Sequence, residues 1–155
     1  MRRRTFCKSA LATAVTASLS ACGARQQASN PGPSIPAISM DGNEISIESV
    51  AVEELRAGLN RQLYLQSDEG YDAAKLIWNG WFSHKKPAMV AQCESTSDVV
   101  DAVNFARERN LIVSVKGVGH SLPGMSTSDG GLMIDLSRLR EVTDDPEART
   151  CLLYT

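Results

Sequence analysis

The segment Val115-Lys116-Gly117-Val118-Gly119-His120-Ser121-Leu122-Pro123-Gly124 concentrates the residue types and spacings in this chain that can do chemistry. A short apolar run leads straight into a string of Gly, Gly, His, Ser and Gly. Glycine admits positive φ and carries no Cβ to hold a ligand away. Successive amide N–H groups in such a turn can form a concavity for an anion such as phosphate. Lys116 could add a point charge, and a neutral imidazole at His120 is a nucleophile. The spacing is neither G-x-G-x-x-G nor the P-loop pattern GxxxxGK[ST]. The plain alternative is a structural turn after a strand, with His120 hydrogen-bonded inside it. Elsewhere chemistry-bearing residues are sparse. His84, beside Lys85 and Lys86, reads as a solvated residue. Asp129 and Asp135 read as a turn residue and a strand-end partner for backbone amides, and Trp78, Trp81 and Phe82 as core. No nucleophile–base dyad is visible. Cys93 and Cys151 lack CxxC spacing, so no metal site is expected. Their pairing in an oxidising compartment stays open.

The elements that must position this loop read as α plus β. From Val50 to Gln66, Val52, Leu55, Leu59, Leu63 and Leu65 recur at mostly helical spacing. Tyr71 to Trp78 carries a second short helical stripe, which Asn79-Gly80 closes as a C-cap. Ala88 to Cys93 is a short apolar run, read as a buried strand. Ser95 with Asp98 three residues on resembles a capping box. The helix it opens carries Val99, Val103 and Ala106 on one face and ends in Arg107, Arg109 and Asn110, where the two arginines suit a C-terminal dipole. Leu111 to Lys116 is the next strand, so strand, helix and strand make a βαβ unit. Leu132 to Leu136 is a further strand. Glu141-Val142-Thr143 and Thr150 to Tyr154 flank a hairpin connection at Asp145-Pro146-Glu147-Ala148. This pattern does not give the strand order.

KGVGHSLPG resembles the RGGGHSxxG segment of FAD-linked oxidases with a PCMH-type domain (the p-cresol methylhydroxylase and vanillyl-alcohol oxidase family), in particular the berberine-bridge-enzyme-like branch. Further similarities follow in family order: Tyr71-Asp72, Trp78-Asn79-Gly80, Lys86-Pro87-Ala88, Ser97-Asp98-Val99-Val100, Asp129-Gly130-Gly131-Leu132, Ile134-Asp135-Leu136-Ser137 and Asp145-Pro146-Glu147-Ala148. Together they span roughly Asp68 to Thr150. The resemblance implies an α+β fold, the N-terminal part of a PCMH-type FAD-binding domain, truncated, over residues 50–155. It implies FAD as cofactor, with its pyrophosphate against the backbone of Lys116, Gly117, Val118, Gly119, His120 and Ser121 and with Gly124 completing the loop. In many members the histidine matching His120 is bonded to the flavin's 8α-methyl carbon. Two departures stand out. Lys116 and Val118 replace an arginine and a glycine of the motif, and Lys lacks the arginine's bidentate fork. The close at Cys151-Leu152-Leu153-Tyr154-Thr155 reads as a truncated form of a longer gene, and Cys151 comes too early to be the second flavin-linking cysteine of such relatives.

Arg2, Arg3, Arg4 and Lys8 precede the mildly apolar stretch Ala10 to Ala21, the layout of an export signal peptide. Arg3-Arg4-Thr5-Phe6-Cys7-Lys8 resembles a twin-arginine signal. Leu19-Ser20-Ala21-Cys22 looks like a bacterial lipobox with Cys22 lipidated. The expected organisation is a signal over 1–21, a flexible Pro-rich tether over 22–49, and the domain after it. The expected place is an exported bacterial lipoprotein on the cell envelope, held to a membrane through Cys22. With 16 basic and 18 acidic side chains in 155 residues there is no basic stripe for nucleic acid beyond the first few residues. Two functions are weighed: an exported FAD-dependent oxidoreductase acting on alcohol- or sugar-like small molecules, and a non-catalytic exported lipoprotein that does not retain flavin.

Overall fold

A computed structural model describes residues 33–153. The signal-like segment 1–21, Cys22 and the first part of the tether lie outside the described residues. The rest of the expected tether is structured. Strands β1 (Ser34–Ile38) and β2 (Glu44–Glu48) pair antiparallel, from Ser34↔Glu48 to Ile38↔Glu44. Pro36 sits within β1, which a two-stranded sheet tolerates because both of its strands are edges. Burial of Ala37 and Ile47 ties this hairpin, which precedes residue 50, to the core.

Helix α1 (Ser49–Gly58) carries the first part of the expected helical stripe and buries Val52 and Leu55. The expected helix to Gln66 stops here: Leu63 and Leu65 belong to strand β3 (Leu63–Leu65), paired with β4 (Met89–Gln92). A single-turn helix α2 (Tyr71–Ala74) follows, shorter than its stripe suggests. Asn79 is the N-cap of a 3-10 turn at Gly80–Phe82 rather than a helix C-cap; its side chain accepts from the Trp81 amide.

Helix α3 (Thr96–Glu108) starts at a complete capping box, with Ser95 Oγ accepting from the Asp98 amide and Asp98 Oδ2 from the Ser95 amide. Its buried face is Asp98, Ala102, Phe105 and Ala106, while Val103 is exposed. Of the expected face, Ala106 is buried and Val99 is partly buried against the core, so Val103 alone departs from it. Strands β5 (Val113–Lys116) and β6 (Leu132–Asp135) complete a four-stranded sheet ordered β3-β4-β6-β5. Strands β4, β6 and β5 are parallel, and β6 lies between the two strands of the expected βαβ unit. Met89, Ala91, Leu132 and Ile134 face a core shared with α1 and α3. By the two-residue period, Val90 and Met133 face the other way, onto Tyr71 and Ala74 of α2. The hairpin β7 (Val142–Asp145) and β8 (Thr150–Leu153) forms as expected.

Candidate functional site

Because β4, β5 and β6 are parallel, their carboxyl ends lie together, the position at which open α/β sheets gather ligands. Register sets Gln92, Asp135 and Lys116 abreast at that end of the sheet. They fall on the same face as Val90 and Met133, the face covered by α2. Lys116 is therefore turned inward. Its Nζ lies 3.1 Å from Asp135 Oδ2, donates to Ala74 O at 2.6 Å and reaches Leu76 O at 3.5 Å. Both side chains are nearly excluded from water, at 9% and 1% exposure. The expected point charge of Lys116 on a bound anion is thus corrected: its ammonium is spent on a buried carboxylate and two carbonyls. Asp135 also accepts from the Ser137 amide and from Gln92.

The loop after β5 is held along its length by the segment that follows α2. The Trp78 amide donates to Gly119 O at 3.1 Å, and Asn79 Nδ2 donates to Leu122 O at 2.8 Å. Gly119 has φ +79°, and a Cβ there would stand 3.3 Å from the Ile77 backbone. Gly124, at φ +71°, leaves room for Phe82, whose ring would lie 2.4 Å from any Cβ. Both positions exclude other residues by conformation as well as by space. Within the loop, the Gly124 amide bonds Ser121 O and the Met125 amide bonds Ser121 Oγ. By contrast, none of the amides from Gly117 to Leu122 donates a hydrogen bond among the described residues. Val118, His120 and Leu122 are exposed, so these donors are open to water or to an acceptor from outside.

His120 is exposed at this bend, its ring 5.9 Å from that of Trp78 and tilted by 54°. Trp78 and Trp81, expected in the core, are 66% and 80% exposed; Phe82 is half-buried against Gly124. Val118, Leu122 and Met125 are exposed too, so large apolar side chains flank the free amides. At this bend Val118, His120 and Leu122 are exposed, while Gly119 and Gly124 are buried against Ile77 and Phe82. A cleft of about 530 Å³ between β2, α1 and the end of α3 shares no residue with it.

Of the residues singled out in the sequence, Gly117, Val118, Gly119, His120, Ser121 and Gly124 form one loop, and Lys116 lies beneath it. Asn79, Trp78 and Asp135 were not assigned to the site by sequence reasoning. The Trp-Asn-Gly triplet was the available signal, but only the fold sets it beside the loop. Asp129 accepts from the Lys86 amide, as a turn residue does, and His84 is exposed, its Nδ1 3.0 Å from Trp81 O. Cys93 is buried and Cys151 exposed, both as free thiols. Burial, with Asp98 and Asp135 nearby, pushes the Cys93 thiol up to about 12. No group of three or more metal-ligating side chains gathers among the described residues.

Residues 87–153 match the FAD binding domain family. The chain is 36% identical over 78 residues to (R)-6-hydroxynicotine oxidase of Paenarthrobacter nicotinovorans, a match covering 50% of this chain and 17% of that protein. It is 43% identical over 84 residues to the FAD-linked oxidoreductase hasG of Aspergillus fumigatus, covering 54% and 18%. Among solved structures, 6-hydroxy-D-nicotine oxidase from Arthrobacter nicotinovorans matches with a TM-score of 0.54 at 31% identity, over 57% of this chain and 19% of that one. A BBE-like protein of Physcomitrella patens matches with a TM-score of 0.59 at 20% identity, over 66% and 22%, a likeness of fold alone. The chain spans about a fifth of the length of these relatives.

Proposed function

We propose, from the match of residues 87–153 to the FAD binding domain family, that the loop from Gly117 to Gly124 is where this chain takes the flavin of an exported oxidoreductase. The observation that carries this reading is the run of undonated amides from Gly117 to Leu122 at the carboxyl end of a parallel sheet. A pyrophosphate needs several donors converging without side chains in the way, and a glycine-interrupted bend supplies them. The fit holds on this chain's own terms. The carbonyls of Gly119, Ser121 and Leu122 are taken up by Trp78, Gly124 and Asn79, so part of the loop's acceptor capacity is satisfied while its amides from Gly117 to Leu122 stay available.

Each residue then has a task. The backbone from Gly117 to Ser121 binds the anionic bridge, and Gly119 and Gly124 let the chain turn. Lys116 contributes by fixing the base of the loop. Trp78, Leu122 and Met125 offer apolar surface to a ring system and keep water from it. In this reading the exposed imidazole of His120 is the group that forms the covalent tether to the flavin. FAD, when bound, supplies two-electron hydride chemistry toward an alcohol- or sugar-like small molecule. The reading also includes export through the segment 1–21 and attachment to a membrane of the cell envelope through lipid on Cys22.

The test is to incubate the purified chain with FAD, remove free flavin by gel filtration and precipitate with acid. Retained yellow absorbance before acid supports flavin binding, and colour remaining with the pellet supports the His120 link. His120→Ala should retain the first and lose the second. A wild-type chain that stays colourless would favour the non-catalytic exported lipoprotein instead.

A further inference from the structure

We propose that Asn79 is a positioning residue for the anion-binding loop, acting by dividing its side-chain amide between two tasks. The proposal rests on the flavin reading of that loop and assigns it a part outside the glycine motif. Oδ1 of Asn79 caps the 3-10 turn by accepting from the Trp81 amide at 3.1 Å, while Nδ2 crosses to Leu122 O at 2.8 Å. The residue before it, Trp78, donates its backbone amide to Gly119 O. Two neighbouring residues thus seize two loop carbonyls three positions apart.

The consequence follows from the planarity of the peptide group. In a trans peptide the carbonyl oxygen and the next residue's N–H point to opposite sides. Holding Gly119 O toward Trp78 therefore turns the His120 N–H away from the segment 78–79, toward open space. The peptide of Leu122 O ends in Pro123 and carries no N–H, so Asn79 acts there by pinning the far end of the bend. With Trp78 holding Gly119 O and Asn79 holding Leu122 O, the backbone between them is fixed at both ends. Asn suits the position because one planar group carries both an acceptor and a donor. Serine could keep the cap, being a good N-cap residue, but its hydroxyl is too short to span to Leu122.

The test compares the wild-type 155-residue chain with Asn79→Ser and Asn79→Asp. It uses hydrogen exchange by mass spectrometry without flavin, thermal unfolding, and FAD affinity from quenching of flavin fluorescence. Asn79→Ser is expected to keep its melting temperature near wild type, to speed loop exchange at the hydrogen-bonded amides of Trp78, Gly124 and Met125, and to weaken FAD by roughly tenfold, the scale of one lost hydrogen bond. Asn79→Asp keeps the cap but sets an acceptor against Leu122 O, so its flavin-free loop exchange should be at least as fast. If Asn79→Ser melts early, Asn79→Asp decides by the same exchange comparison. Loop exchange unchanged in the folded variants overturns the proposal. If the wild type binds no FAD, the flavin reading fails by itself, and the exchange results still decide whether Asn79 holds the loop.

Discussion

At the scale of single residues, the site is set by polar groups that find partners far away in sequence. Lys116 and Asp135 are both buried, so removing either partner leaves an uncompensated charge. Lys116→Met is expected to lower stability by about 3–5 kcal/mol in chemical denaturation, with Lys116→Met/Asp135→Asn recovering much of it. A double variant no more stable than the single would show that the pair does not act as one unit. Cys93, with its thiol pushed up to about 12 by burial, should resist iodoacetamide in the native protein at pH 8, whereas exposed Cys151 should be alkylated. Peptide mapping after labelling reads both. The glycines and His120 were legible in the sequence because their chemistry depends on their own identity and close spacing. The fate of Lys116 was not, because its partner is chosen by the register of β5 against β6. The exposure of Trp78 and Trp81 was hidden for a similar reason: apolar character alone does not say which face a short turn shows to solvent.

At the scale of elements, α3 depends on its start. Burial alone would raise the Asp98 carboxyl, but amide hydrogen bonds from Glu94 and Asn60, joined by the Asn60 and Ser95 side chains, hold it below its ordinary value of 3.8. A carboxyl depressed on folding stabilises the native state above its unfolded pKa, and this contribution fades as pH falls through the lower folded value. Wild-type stability should therefore drop as pH goes below 3.8, and Asp98→Asn should flatten that part of the acid-unfolding curve while costing about 1–3 kcal/mol near neutral pH. An unchanged acid limb would contradict the assignment. Ser95-x-x-Asp98 was readable in advance because a capping box is local. The helix's buried face was read in part: Val99 and Ala106 pack on the core, but Val103 is exposed and the polar Asp98 joins the face. Likewise, leucines at 63 and 65 continue a helical period on paper, but antiparallel pairing with Ala91 and Met89 draws them into β3.

At the scale of the whole molecule, strand order decides where the loop goes. Inserting β6 between β4 and β5 aligns three carboxyl ends and sets Asp135 beneath the glycine bend. No local pattern encodes that insertion, since it joins strands separated by the loop itself. Val113 and Val115 remain exposed on β5 at the sheet edge. Binding to the native state alone should stabilise the chain, and FAD at a hundred times its Kd should add about 2.7 kcal/mol, seen as a raised melting temperature. The most direct test of the central claim is an amide nitrogen–proton correlation spectrum of the chain titrated with FAD. The account predicts that the resonances of Gly117 to Leu122 shift first and furthest, with Trp78 and Asn79 following. Saturating flavin that moves other amides and leaves those six positions, less any not observed in the free protein, where they began would contradict it.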